Sequence, residues 1–152
     1  MEIIHDDILK CDEGLVIHGT NCSGGFGSGI AGQVRQQLPV VYENFKKIPQ
    51  GEQSLGTLQI VSIPGKKGLY WGNGFTQLNF GKDGKKYASL EAVDKVLEKA
   101  FKLCMLYNMP LNSPKIGCGL GGLSWEDEVK PIFEKYEAEY PEVTVRIFEF
   151  DK

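Results

Sequence analysis

Two glycine-rich segments constrain this chain more than anything else in it. One runs Asn21-Cys-Ser-Gly-Gly-Phe-Gly-Ser-Gly-Ile-Ala-Gly32 and the other Gly117-Cys-Gly-Leu-Gly-Gly122, holding five and four of the chain's 19 glycines. Glycine is unfavourable inside regular elements, so such runs mark backbone that turns sharply or comes close to something else. Each follows a short apolar run of strand character: Gly14-Leu-Val-Ile-His18 before the first, Pro114-Lys-Ile116 before the second. Each also precedes a helical pattern. Backbone N–H groups in a glycine turn aimed at a helix start form a ready anion site, and phosphate is its commonest ligand.

The rest of the chain supplies the frame. Glu2–Ile4 reads as a strand, as do Thr57–Ile63 and Gly68–Phe75, which flank the turn Pro64-Gly65. Ile30, Val34 and Leu38 recur at four-residue spacing and predict a helix from about Ser28 to Leu38. Pro39 interrupts it before another helical turn or two over Val40–Phe45. Leu90, Val93, Leu97, Ala100, Phe101 and Cys104 predict the clearest helix, over Ser89–Tyr107. Ser124 is placed to cap a last helix, with Glu126 and Glu128 at its positive end and Pro131 implying a tight first turn. Val143–Phe150 closes the chain as a strand. Alternating strands and helices give an α/β class, a three-layer α/β/α sandwich with a mixed central sheet, as one domain over residues 1–152. Ligands of such sheets bind beyond the strand ends, where both glycine segments lie.

Composition excludes several functions. The net charge of −3 and 41% hydrophobic residues describe an ordinary globular chain, and the mild acidity argues against a nucleic-acid backbone binder. No stretch is long and apolar enough for a membrane span, the start MEIIHDDILK lacks a signal-peptide core, and a cytoplasmic location is expected. Cys11, Cys22, Cys104 and Cys118 have no C-x-x-C pairing, so neither a zinc site nor a disulfide framework is expected, and no cofactor or metal is implied. Cys22 and Cys118 read as compact fillers of the glycine loops rather than nucleophiles.

Two phosphate motifs fail. Neither segment ends in the Gly-Lys-Ser/Thr of a Walker A loop. Gly27-Ser-Gly-Ile-Ala-Gly32 matches G-x-G-x-x-G, with Glu52 twenty residues further on, but His18 precedes Gly27 by about eight residues, whereas a dinucleotide-binding motif needs its first glycine directly after the strand.

Taken in order, Asp6-Asp-Ile8, His18-Gly-Thr-Asn-Cys22, Gly27-Ser-Gly-Ile-Ala31, Asn73-Gly-Phe-Thr-Gln77 and Ile116-Gly-Cys-Gly-Leu-Gly-Gly122 resemble a macro domain, the ADP-ribose-binding α/β/α module. The resemblance spans nearly the whole chain. It implies that Asp7 accepts a hydrogen bond from the adenine amino group, assisted by the backbone of Ile8. It also implies that Gly27, Ser28, Gly29 and Ile30 form the first phosphate loop and Gly117, Cys118, Gly119, Leu120, Gly121 and Gly122 the second. Asn21 matches the position that holds the distal ribose, and Phe148 or Phe150 is placed to pack on the adenine.

The resemblance also frames the chemistry. A hydrolase branch with a similar second loop uses a lysine after the middle strand's Phe/Ile-Thr and an aspartate in that loop, where this chain has Gln77 and Gly121. Without the amine there is no covalent lysine–ribose intermediate, and without the carboxylate no acid/base partner. Ile17-His-Gly-Thr-Asn-Cys22 is instead similar to the branch that removes phosphate from ADP-ribose 1″-phosphate. There His18 would carry the proton, Asn21 would orient the distal ribose, and Asp83, in Gly81-Lys-Asp-Gly84, would be the acid/base partner. The phosphatase is therefore the first expectation. A non-enzymatic reader of free or protein-attached ADP-ribose comes second, and a hydrolase of ADP-ribosylated macromolecules third.

Overall fold

The computed structural model describes residues 1–27, 29–79 and 86–150. Within them, β1 (Glu2–Ile4), β2 (Gly14–Asn21), β3 (Leu58–Ser62), β4 (Leu69–Gln77), β5 (Leu111–Ser113) and β6 (Val145–Phe148) form one sheet. Their order is β1-β6-β5-β2-β4-β3, and only β3 runs antiparallel to its neighbour. The helices are α1 (Gly29–Gln37), α2 (Pro39–Phe45), α3 (Leu90–Tyr107) and α4 (Lys130–Glu139). The result is the α/β sandwich with a mixed sheet that the alternating pattern predicts.

Strand β2 sits between β5 and β4 and is buried on both faces, which explains its unbroken Leu-Val-Ile run. Leu15 and Ile17 enter a core with Val93, Leu97 and Phe101 of α3 and Phe133 of α4. Val16 enters a second core with Val34, Val41, Phe45, Trp71 and Phe75, which covers the other face beneath α1 and α2. Helix α3 starts where its periodicity predicts: Ser89 Oγ accepts from the Ala92 N–H at 3.2 Å. It ends at Asn108, whose φ of 52° is left-handed. No helix among the described residues is long and apolar enough to cross a membrane.

Two local expectations are corrected. The strand before the second glycine segment is Leu111–Ser113, not Pro114–Ile116. Pro114 has no N–H to give a ladder, and its carbonyl instead accepts from Ile116 N at 2.8 Å, closing a turn. The turn before α4 is wide rather than tight. Residues Trp125–Val129 form a π turn in which Val129 N reaches Ser124 O at 3.1 Å, and α4 then takes Pro131 in its first turn. Ser124 does cap it: its Oγ accepts from Asp127 N at 3.2 Å, while Glu128 Oε1 accepts from Ser124 N at 3.0 Å.

Phe101 is fully buried, with the rings of Tyr136, Phe133 and Tyr140 at 5.6, 6.2 and 6.3 Å. Phe101→Ala is expected to lower unfolding stability by about 3–5 kcal/mol. Urea titration should show this as a lower midpoint at unchanged slope. A loss below about 1 kcal/mol would mean that this core is not the one described.

Candidate functional site

Five parallel strands present their carboxyl ends at one edge of the sheet, and the site is assembled there. The first glycine segment leaves β2 and the second leaves the segment after β5. These strands are direct neighbours, with Leu15 opposite Leu111 and Val16 opposite Asn112. Their exits therefore emerge side by side.

Asn21 shapes the first segment. Its Oδ1 accepts from Ser23 N (3.0 Å), Ser23 Oγ (3.1 Å) and Gly25 N (3.0 Å), and its Nδ2 donates to Gly25 O at 2.8 Å. The carbonyl oxygen is committed to folding the loop, while Nδ2 keeps a second N–H with no partner among the described residues. Phe26 anchors the loop in the α1–α2 core, 4.7 Å from the Phe45 ring and 5.2 Å from that of Tyr42. Beyond it, an added Cβ at Gly27 would meet nothing within 4 Å, and Gly27 has no left-handed backbone to explain its glycine. The first turn of α1 follows, with Gly29, half-buried Ile30 and its orphan N–H donors.

The second segment is braced by Cys118 N to Lys115 O (3.0 Å), Gly122 N to Gly119 O (3.2 Å) and Leu123 N to Gly117 O (3.0 Å). Among the described residues, the N–H groups of Gly119, Leu120 and Gly121 have no protein acceptor. Gly119 faces open space, as Gly27 does, and Leu120 is exposed. Gly121 differs. Its carbonyl accepts from both Tyr87 N (2.9 Å) and Ala88 N (3.0 Å), and a Cβ would lie 2.6 Å from Gly117 O and 2.9 Å from Ala88 Cβ. No carboxylate fits there. Burial pushes the Cys118 thiol up to about 11 and raises that of Cys22, so both are protonated at neutral pH and neither is a ready nucleophile.

At the β1–β6 end, Asp7 Oδ1 accepts from Leu9 N at 3.0 Å and caps a short 3₁₀ turn, leaving Oδ2 without a hydrogen-bond partner among the described residues. Ile8 is buried beneath it, Phe148 lies half-buried against the α1–α2 core, and Phe150 is exposed. Glu149 pairs with Lys115, which holds its carboxyl below the usual range, and lies 3.6 Å from His5 Nδ1. Asp83 and Ser28 lie outside the described residues, as do Lys82 and Lys85. Lys86 pairs with Glu128 at 3.1 Å.

His18 is not at the cleft surface. Its side chain points to the α1–α2 side of β2, 1% exposed, between the edges of Phe26 and Trp71 at 5.5 and 5.6 Å. Its bond pattern fixes the tautomer. Gln59 Nε2 donates to Asn44 O (2.8 Å), so Gln59 Oε1 accepts from Asn73 Nδ2 (2.9 Å), and Asn73 Oδ1 accepts from His18 Nε2–H at 2.6 Å. Burial lowers the imidazole pKa to about 4, the hydrogen bond to Asn73 opposing it. A ring this enclosed and neutral ties the sheet to α2; it does not meet the geometric requirement for the proton carrier expected from the sequence.

Sequence reasoning missed the neighbourhood of α2. A cavity of about 300 Å³ opens at the β2–β4 exits, walled by Tyr42, Phe45 and Phe75 and bordered by Cys22, Lys46 and Gln50. It joins three separate stretches of chain, and only the aromatic pair Tyr42 and Phe45 beside the lysines hints at it.

No family model matches the chain. It is 26% identical over 149 residues to the DNA ADP-ribosyl glycohydrolases of Mycobacterium bovis and Mycobacterium tuberculosis. That match takes in 93% of this chain, which spans about 40% of the length of those relatives. Among solved structures, the macrodomain of Mycobacterium tuberculosis DarG superposes with a TM-score of 0.78 at 22% identity, covering 96% of each chain. Thermosipho africanus DarTG in complex with ADP-ribose gives 0.75 at 21% identity, covering 98% of this chain and 41% of that one. The fold is that of a macrodomain. These similarities do not single out the phosphatase branch.

The burial of His18 has a measurable signature. Above pH 6.5 its ring is neutral in both folded and unfolded chains and contributes no pH dependence. As pH falls from 6.5 to about 4, the unfolded chain takes up a proton that the folded chain refuses, so stability declines. Urea titrations at pH 7 and pH 4 should show this decline shrinking in His18→Gln by as much as about 3 kcal/mol. Equal decline in both proteins would place the ring in water.

Proposed function

We propose that this macrodomain binds ADP-ribose across the strand exits and removes it from a modified macromolecule, with ADP-ribosylated DNA as the substrate class. The observation that carries the binding is the pair of loops. Among the described residues the N–H donors of Gly119, Leu120 and Gly121 have no acceptor, and the first turn of α1 leaves the neighbouring strand exit. An added Cβ at Gly27 or Gly119 would meet nothing within 4 Å. Two adjacent phosphates suit such donors. Asp7 and Phe148 then take the adenine end, and the distal ribose lies toward β2 and β4. Gly19, exposed and without a side chain, lets backbone approach the sugar there.

The reaction is hydrolysis. Water attacks the anomeric carbon of the distal ribose, the bond to the acceptor breaks, and the acceptor leaves with the electron pair and takes a proton. The transition state is oxocarbenium-like, as in other glycoside cleavages. Similarity to the DNA ADP-ribosyl glycohydrolases over 93% of the chain supports this activity over phosphate removal. So does the enclosure of His18, the group that phosphate removal would have used. The chain's mild acidity argued against nucleic acid, but a hydrolase that grips its substrate through the ADP-ribose needs no basic stripe. With Gln77 and the sterically closed Gly121 in place of a lysine and an aspartate, catalysis proceeds without a lysine adduct.

Calorimetry with ADP-ribose should show saturable binding, and chromatography should show ADP-ribose released from an ADP-ribosylated oligonucleotide. Borohydride added during turnover should trap no protein–ribose adduct. Gly119→Val, whose Cβ would meet no described atom within 4 Å, should abolish binding and release while the thermal midpoint stays within about 2 °C. Binding without release would make the protein a reader. Phosphate release from ADP-ribose 1″-phosphate, with none of ADP-ribose from DNA, would restore the phosphatase.

A further inference from the structure

We infer that the aromatic cavity beside the first glycine loop receives the nucleobase to which the ADP-ribose is attached, an inference that rests on the proposed action on DNA. The strand order supplies the direction. A ligand lying from the β1–β6 exits across β5 and β2 ends at the β2–β4 exits, where Asn21, Cys22 and Gly24 border the cavity. Whatever is bonded to the distal ribose leaves the cleft on that side.

The walls suit a planar ring. Phe45 and Phe75 stack on each other at 5.7 Å, within 8° of parallel, and Tyr42 lies within 23° of Phe45, so the three rings form one continuous apolar wall. At about 300 Å³ the space beside it is of the size that holds one ring system. A polar edge is present as well. The carboxamide of Gln50 has no protein hydrogen-bond partner among the described residues. It lies across Gly24, where a Cβ would stand 2.7 Å from Nε2, so the missing side chain at Gly24 leaves the amide room. A free donor–acceptor pair above stacked rings is the chemistry that reads the edge of an unstacked base.

Charge complements it. Arg35 lies 4.1 Å and Lys46 5.1 Å from the Tyr42 ring centre. Arg35 has no carboxylate partner among the described residues, and Lys47 is exposed beside Lys46. Cations around an aromatic platform serve a phosphodiester strand better than an acidic or aliphatic peptide side chain.

Tyr42→Leu keeps an apolar group against Phe26 and Phe45 but removes the platform, and Gln50→Ala removes an exposed amide without touching a core. Each variant should bind free ADP-ribose within about twofold of the wild type, while kcat/KM for release from an ADP-ribosylated oligonucleotide falls roughly tenfold or more. Gln50→Ala carries the test alone if Tyr42→Leu does not fold. Unchanged release from DNA in the variants overturns the base pocket and leaves the proposed activity standing. Equal loss of free ADP-ribose binding also overturns it, because the cavity would then hold part of the ADP-ribose. A wild type that binds ADP-ribose yet releases none from DNA, or releases it only from modified protein, overturns the proposed substrate and the pocket with it.

Discussion

The parallel pairing of β2 with β5 on one side and β4 on the other is the constraint from which the rest of the molecule follows. Parallel strands point their carboxyl ends the same way, so each chain segment that leaves them must begin at the same edge. That places two glycine segments, distant in sequence, within reach of one ligand. It also buries β2 on both faces, and its residues alternate between two cores that would otherwise have no common member. A change that disturbed β2 would loosen both helical layers and misplace both loops together.

The second organising element is polar. From His18 through Asn73 and Gln59 to the backbone of Asn44, a line of hydrogen bonds crosses the α1–α2 side of the sheet and reaches α2. Asn73 also donates to Val41 O at 3.3 Å. Every donor and acceptor assignment follows from the carbonyl at its end, so the line has one direction. It fixes α2 relative to β2, and α2 carries Tyr42 and Phe45. His18 thus bears on the cleft through the helix it secures, and no proton needs to move through it.

Much of this was legible in the sequence, for reasons that differ by segment. Helix α3 was clear because one face is apolar at every turn and Ser89 marks its start. The loops were clear because glycine is costly anywhere else. The orientation of His18 was not, since a strand buried on both faces shows no alternation from which to read a side. The start of the second loop was displaced because Pro114 and Ile116 look like strand residues until the missing N–H is considered. Gly121 was legible only as a missing aspartate, and the structure adds that its neighbours leave no space for one. The aromatic cavity was invisible because it is a product of tertiary folding, built from residues near 22, 45 and 75.

The carbonyl of Gly121, shared by the amides of Tyr87 and Ala88, has an implication for how binding is driven. With its own turns closed and the segment leading into α3 clamped across it, the second loop has little conformational freedom left to surrender. Ordering a floppy loop would consume part of any gain from contacting a phosphate, whereas a preorganised one keeps that gain. Association at this loop should therefore carry a small entropic cost from the protein, leaving affinity to be set by desolvation and by the fit of the anion to donors already in position.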